Sequence, residues 1–355
     1  MKALHFPEHG GLEVLRVGDF PEPSAGPGEV LVAVKAAALN HLDLFVLGGL
    51  PGIPIPLPQV GGADAAGVVA EVGEGVTGWR VGDEVVFNPG LWCGTCEFCV
   101  AGEECLCLRF GIVGEHCHGA FAERVVVPAL SLAHRPAHLS WEEAAALPLT
   151  FLTAWRMLMT RGGLREGETV LIHGIGGGVA LAALSIATAA GARVFVTSSS
   201  NEKLERARQL GAAEAINYST EDVVRKVKEL TARRGVDLVV ETVGEATWMT
   251  SLRCARRGGR IVTCGATSGP NPTEEVRLIF WNQLSILGST MGSDKDWREL
   301  VEAVERRQLR PVVDSVYSLD RGVAAYERLA AGKQFGKIVL AVGIENAASE
   351  EPRSV

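Results

Sequence analysis

No stretch of this chain supplies the roughly 18 uninterrupted apolar residues that a membrane-spanning helix needs. Nor is there a basic run of the kind that follows a phosphate backbone. Its 34 lysines and arginines are outnumbered by 42 aspartates and glutamates, for a formal net charge of -8. A membrane anchor and a nucleic-acid partner are therefore not expected. The opening residues, Met1-Lys2-Ala3-Leu4-His5-Phe6, are too short an apolar run and too polar for a secretory leader, so a cytoplasmic location is expected. Internal repeats and low-complexity tracts are also missing. The balance of 47% hydrophobic to 21% charged residues is that of an ordinary globular protein, and 355 residues are too many for one comfortable core, which predicts two domains.

The pattern of the chain changes part-way along. Residues 1 to about 135 read as β-rich, with short apolar or alternating runs (Glu29–Val34, Gly67–Val72, Asp83–Phe87) separated by glycine and proline turns. In Pro51-Gly52-Ile53-Pro54-Ile55-Pro56-Leu57-Pro58 the prolines remove too many backbone donors for regular structure, so this segment reads as a surface loop. At Ser140, followed by Glu142 and Glu143, a helix opens with an N-cap and an acidic first turn. From 167 onward strands and helices alternate: strand 169–173, an alanine-rich helix 178–190, strand 192–196, helix 201–210, and strands 236–240 and 260–263. That alternation predicts an α/β fold with a doubly wound parallel sheet. The tail from Gly343 to Val355 is polar and reads as frayed.

Eight cysteines are present, and five of them fall between 93 and 107. A disulfide framework would spread them over a small secreted domain; a cluster in a long chain points to metal. Cys93-x2-Cys96-x2-Cys99-x7-Cys107 offers four thiolates on one loop, the donor set of a closed tetrahedral Zn²⁺ site. An iron–sulfur cluster is the competing metal, but no proline follows the last cysteine and no second cluster motif exists. Cys105 is the one plausible substitute ligand. With sulfur at all four positions, such an ion stabilises its lobe and does no chemistry.

After the strand ending at His173, Gly174-Ile175-Gly176-Gly177-Gly178-Val179-Ala180 runs straight into a helix, with a second strand following. Glycines let the backbone turn tightly and approach a pyrophosphate, which the helix N-terminus attracts. NAD enzymes place an acid at the tip of the second strand to hold the ribose hydroxyls. Here that place reads Thr197-Ser198-Ser199-Ser200-Asn201-Glu202-Lys203. With no acid at the tip, and with hydroxyls plus one lysine suited to a 2′-phosphate, NADP(H) is expected over NAD(H).

These two motifs, in this order, resemble the medium-chain dehydrogenase/reductase superfamily. The resemblance runs over nearly the whole chain and includes Gly61-Gly62-x4-Gly67 with Gly73 and Gly75, the cysteine lobe, and the closing Phe335-Gly336-Lys337-Ile338-Val339-Leu340. It implies a GroES-like β-rich catalytic domain over 1–149 and 292–355, with the zinc lobe at about 90–110, and a Rossmann cofactor domain over 150–291. Zinc alcohol dehydrogenases of the superfamily hold a catalytic zinc with a cysteine, the histidine of a Gly-His-Glu, and a second cysteine. Those places hold Asn40, Ala63 and Leu149 here. Neither Ala63 nor Leu149 can ligate a metal, and Asn40 would be an unusual ligand for zinc. Asn40-x2-Asp43 and the Gly-x-Asp64-x2-Gly67 pattern look instead like the quinone oxidoreductase and enoyl-thioester reductase branches, whereas the cysteine lobe links the chain to crotonyl-CoA reductase-like proteins and zinc-binding alcohol dehydrogenases.

By that resemblance, Gly174, Gly177, Gly178 and Val179 cradle the pyrophosphate and Lys337 adds a cation to it. Ser198 and Lys203 face the adenosine ribose or its phosphate, with Tyr218 near the same half. Thr153 touches the nicotinamide, whose carboxamide edge is lined by Val243, Gly244, Cys264, Gly265 and Ala266. The substrate pocket includes Asn40, Asp43, Asp64 and the segment Gly114-Glu115-His116-Cys117-His118-Gly119. Asn40 is a candidate hydrogen-bond donor, and His116, His41 or His118 a candidate proton source. The expected activity is NADPH-dependent reduction of a small carbonyl substrate (enone, quinone, enoyl thioester or aldehyde) without catalytic zinc. Two rivals remain open: an alcohol dehydrogenase whose second zinc is held by relocated ligands (His41, Asp64, Glu115, His116), and a non-catalytic NADPH-binding protein. A homodimer or homotetramer is expected, paired through the edge segment Leu284–Ser289.

Overall fold

The computed structural model describes residues 1–50 and 52–343. Pro51 and most of the polar tail expected to fray lie outside the described residues. Contacts divide the chain into two compact units, Met1–Leu149 with Ser293–Val355 and Thr150–Gly292. Among the described residues no helix is long and apolar enough to cross a membrane.

The first unit is built on a seven-stranded sheet. Its path runs Leu132–His134, Glu84–Phe87, Asp64–Val72, Glu29–Ala38, Lys337–Ala341 and Val313–Ser318, and Arg124–Pro128 also pairs with Glu29–Ala38. A three-stranded sheet of Arg16–Asp19, Lys2–Phe6 and Gln59–Val60 accompanies it. The core is apolar and continuous, with Phe6, Phe87, Phe121 and Tyr326 almost fully enclosed. Backbone conformation explains the paired glycines. Gly62 has φ +97° and a Cβ there would sit 2.5 Å from the Phe121 ring, while a Cβ on Gly119 would lie 2.4 Å from the carbonyl oxygens of Gly61 and Gly62. Only glycine lets these segments close on the ring and on each other.

Ser140 caps the helix Trp141–Ala145 as its sequence predicts. Its hydroxyl accepts the Glu143 N–H at 3.2 Å, and the Glu143 carboxylate takes the Ser140 N–H at 2.9 Å. Between Pro51 and the strand Gln59–Val60, the described residues form no helix or strand.

The second unit is a six-stranded parallel sheet in the order Glu214–Asn217, Arg193–Ser198, Thr169–Ile172, Val236–Glu241, Ala255–Thr263, Ser285–Gly288. Helices connect successive strands, as parallel pairing favours for its long crossovers. The order reverses beside Thr169–Ile172, the switch point where open α/β sheets bind nucleotides. The strand Glu214–Asn217 and the helix Val223–Leu230 escaped the sequence reading, because Glu214-Ala215-Ile216-Asn217 is too short and polar to register as a strand.

Candidate functional site

Strand register assembles the first cluster. Ala38 pairs with Asp64 on one side and with Val339 on the other, so the residue two beyond Ala38 and the residue two before Val339 meet at the head of the strand that Asp64 opens. There the Lys337 ammonium donates to Asn40 Oδ1 at 2.5 Å and to Asp64 Oδ2 at 3.0 Å. Asn40 Nδ2 donates to the same Asp64 oxygen at 2.9 Å, and the Leu149 N–H donates to Asp64 Oδ1 at 2.8 Å. All three side chains are buried: Asp64 is 0%, Lys337 4% and Asn40 5% exposed. A buried carboxylate and a buried ammonium are tolerated together because each neutralises and hydrogen-bonds the other. The places that resemble zinc-ligand positions thus surround a fixed protein cation: Asn40 and Leu149 bond to it or to its counter-ion, and Ala63 precedes Asp64. Sequence resemblance assigned Lys337 to the cofactor pyrophosphate; the structure groups it with Asn40 and Asp64.

Asp43 supports this cluster from below. Its carboxylate accepts the Asn40 N–H at 2.6 Å and the Gly62 N–H at 3.2 Å, tying the start of the helix His41–Gly48 to the glycine turn. Burial pushes its pKa up to about 7, against the pull of those two N–H groups and of Lys337. The same burial, with Asp43 nearby, raises the Tyr326 phenol well above its usual range.

Gly114 (φ +84°) packs against the Gly62 backbone, where a Cβ would lie 2.7 Å from the carbonyl group. Glu115 is 4% exposed, and no hydrogen-bond donor reaches its carboxylate among the described residues. Burial raises its pKa, offset in part by His116. His116 Nδ1 accepts the Ile112 N–H at 3.1 Å, which leaves its proton on Nε2 and makes the 3.9 Å approach to Glu115 no hydrogen bond. His118 bonds Gln59 Oε1 at 2.9 Å and stacks edge-on with Phe20, while His41 stacks edge-on with Phe45. None of the three histidines hydrogen-bonds to the Asn40–Asp64–Lys337 cluster.

The four lobe cysteines converge. The sulfurs of Cys93, Cys96, Cys99 and Cys107 all lie within 4.8 Å of one another, with Cys96–Cys99 at 3.5 Å and Cys93–Cys99 at 3.9 Å. A tetrahedral ion with Zn–S bonds of about 2.3 Å separates its sulfurs by about 3.8 Å, so the set fits. N–H groups already face the sulfurs: Cys96 N to Cys93 Sγ, Cys93 N to Cys107 Sγ and Arg109 N to Cys107 Sγ, each at 3.3 Å. Such donors favour thiolates; those of Thr95 and Cys96 push Cys93 down to about 5. Among the described residues this is the one group of three or more histidine, cysteine or acidic side chains close enough to grip an ion. His41, Asp64, Glu115 and His116 form no such group.

In the nucleotide unit, Gly174 (φ +66°) and Gly176 (φ +120°) turn the chain into the helix Gly178–Ala189. The first N–H groups of that helix, on Gly178 and Val179 among others, have no partner within it and are oriented as donors. A Cβ on Gly176 would lie 3.0 Å from Lys203 Cδ and 3.4 Å from its Nζ, so the lysine reaches over the loop. Ser198 ends its strand buried, its hydroxyl accepting the Ser200 N–H at 3.2 Å, and Tyr218 is exposed. Thr153 is buried with its hydroxyl 3.8 Å from Met291 Sδ. Gly265 and Ala266 follow the strand Ala255–Thr263.

Sequence reasoning missed a buried chain beneath this loop. His173 bonds Thr197 Oγ1 at 3.2 Å and Ser251 Oγ at 3.1 Å, and Ser251 donates to Glu241 at 2.6 Å. Glu241 also accepts the N–H groups of Val243 at 2.8 Å and Gly244 at 3.0 Å, fixing the segment that the resemblance assigns to the carboxamide. The available signal was an acid at the carboxyl end of a parallel strand, where ligands bind in such sheets.

The chain matches known proteins over most of its length. The alcohol dehydrogenase GroES-like domain matches residues 26–137 and the zinc-binding dehydrogenase domain residues 178–306. A zinc-type alcohol dehydrogenase-like protein of Schizosaccharomyces pombe is 37% identical over 343 residues, 94% of this chain and 97% of that one. The chain belongs to the medium-chain dehydrogenase/reductase superfamily. Another superfamily member, a quinone oxidoreductase of Pseudomonas aeruginosa, is 34% identical over 96% of this chain and 99% of its own. A solved NAD-dependent alcohol dehydrogenase superposes with TM-score 0.93 at 48% identity, covering 97% of this chain and 100% of that one. As a medium-chain dehydrogenase/reductase the chain is an NAD(P)-dependent oxidoreductase, with the GroES-like and Rossmann folds of its superfamily.

Proposed function

We propose that this enzyme reduces an activated C=C or C=O bond with NADPH, using a protein cation rather than a metal ion at the substrate oxygen. The observation that carries this reading is the Lys337 ammonium, held by Asn40 Oδ1 at 2.5 Å and Asp64 Oδ2 at 3.0 Å. An ammonium has three donors. Two are used here, and the third has no acceptor among the described residues. Bound NADPH supplies the hydride. As hydride adds to a carbonyl carbon, or to the β carbon of an enone, negative charge gathers on the oxygen; the third Lys337 N–H is the donor that meets it. Asp64 and Asn40 fix that donor in place. Glu115, whose pKa burial raises, is the group placed to give the proton to the alkoxide or to the α carbon and regain one from water.

The acid form of Glu115 persists above the ordinary carboxylate range and disappears as pH rises through its raised pKa. Turnover is therefore expected to fall along that limb, and Glu115→Gln to lower the rate and abolish the limb. An unchanged pH–rate profile in the variant removes Glu115 from this role.

For the dinucleotide, the reading is NADP(H) over NAD(H), supported by the serines at the strand end and by Lys203 over Gly176. A charge-assisted bond to the 2′-phosphate predicts that Lys203→Ala raises KM for NADPH about tenfold or more and leaves KM for NADH within about twofold. The 48% identical solved protein is named for NAD, so a clear NADH preference in the unaltered enzyme would overturn the reading. The proposed assembly is a homodimer or homotetramer paired through Ser285–Gly288, the edge strand of its sheet, beside the exposed Phe280 and Trp281.

One preparation tests the function: metal content together with turnover of trans-2-hexenal, benzoquinone, crotonyl-CoA and benzaldehyde. The expected result is one zinc per chain and turnover that survives chelation of loosely held metal. Two zinc ions per chain with chelator-sensitive alcohol oxidation would restore the alcohol dehydrogenase reading. Tight NADPH binding without turnover of any probe would mean a binding protein.

A further inference from the structure

The end of the nucleotide unit's parallel sheet opposite the glycine loop, where Val236 and Ala255 begin their strands, holds a cavity of about 750 Å³. Six cations line it: Lys228, Arg233, Arg234, Arg253, Arg256 and Arg257; no carboxylate does, and Leu252 and Leu278 contribute apolar walls. In a chain with a formal net charge of -8 this is a strong local inversion of sign.

Nearby acids do not cancel it. Asp237 accepts from Arg234 at 2.6 and 3.0 Å, from Arg256 Nε at 2.5 Å and from the Thr169 N–H at 2.9 Å. Its oxygens are fully used, and one charge answers two. Glu275 is engaged with Arg277 at 2.6 Å. Lys228, Arg233, Arg253 and Arg257 have no carboxylate within ion-pair distance among the described residues. The helix C-termini at Leu230 and Cys254 favour a cation in their last turns, which accounts for Lys228 and Arg253. It does not account for Arg233 and Arg257. The turn that brings Arg233 and Arg234 to this wall passes through Ala232 (φ 48°) and Arg233 (φ 67°), a left-handed conformation that L-residues adopt at a cost.

We propose that this cavity binds a small polyphosphate-bearing anion, at a site separate from the dinucleotide loop. Guanidinium groups pair two phosphate oxygens at once, and several unneutralised cations around a concavity concentrate a multivalent anion far better than a monovalent one. The volume is that of a small-molecule site, and the apolar walls suit the uncharged body of an organic phosphate.

The test is isothermal titration of the full chain, saturated with NADPH, with inorganic tripolyphosphate. Single-site binding is expected, weakened at least about tenfold by Arg253→Gln with Arg257→Gln. Both positions are exposed, so the fold is retained. A charge-matched pair on exposed helix positions of the other unit, Arg298→Gln with Arg306→Gln, is expected to bind as the unaltered chain does, as is Lys203→Ala. No binding by the unaltered chain overturns the proposal. So does equal weakening in the control pair, loss in Lys203→Ala, or tighter binding of duplex DNA than of tripolyphosphate. Because the readout is binding, failure of the reductase assignment leaves it intact.

Discussion

Lys337→Met is expected to lower kcat for any reduced carbonyl probe by about 10²–10³-fold, the usual cost of losing one donor to a developing oxyanion, while the NADPH dissociation constant stays within about twofold. The opposite split, weaker NADPH binding with kcat spared, would return Lys337 to the pyrophosphate and remove the protein cation from the chemistry. The variant also carries a stability cost. It leaves the Asp64 carboxylate, 0% exposed, without its cation, and breaking a buried pair in this way typically costs about 3–5 kcal/mol. Lys337→Met with Asp64→Asn separates the two effects, since neutralising both partners restores most of the lost stability and none of the rate. Lys337→Arg keeps the charge but changes its shape, and is expected to keep the fold with an intermediate rate.

Cys93→Ser with Cys107→Ser is expected to reduce zinc from one per chain to none and to lower Tm by about 10 °C or more, since metal-binding free energy is folding free energy for a lobe with little core of its own. Cys105→Ser should change neither quantity, because Cys105 lies outside the convergent set although it sits between Cys99 and Cys107. Atomic absorption on the purified variants reads the first effect and calorimetry the second. Zinc retained by the double variant, or lost from Cys105→Ser, would mean a different ligand set. The predicted loss is structural, so residual turnover in folded double variant is expected to keep its NADPH affinity.

Both predictions concern cations, yet the two sites were unequally legible. The cysteine lobe could be read because its four ligands span fifteen residues, and a short loop cannot hold them far apart. The glycine loop could be read for the same reason: strand, tight turn and helix N-terminus follow one another, and each signal is local. Ser140 and Glu143, three residues apart, close their capping box by the geometry of one helical turn.

The Asn40–Asp64–Lys337 cluster had no such signature. Its members are separated by as many as 297 positions, and only the antiparallel registers of Ala38 with Asp64 and of Val339 with Ala38 bring them together. A lysine inside Gly336-Lys337-Ile338-Val339-Leu340 announces a buried partner without naming it. The arginine doublets at 233–234 and 256–257 likewise read as ordinary surface until the close approach of two strand starts placed them around one cavity.

The pair of folds, four cysteines near enough along the chain to converge, the glycine turn between strand and helix, and the inability of alanine and leucine to ligate a metal were legible from the residues alone. Each follows from side-chain chemistry or from spacing along a few residues. Which charge lies between Asn40 and Asp64, which acid is buried without a donor, and where unneutralised cations gather followed from the folding of distant segments onto one another. Burial and strand register set the electrostatic environment of a residue, and neither is a property of its neighbours in sequence.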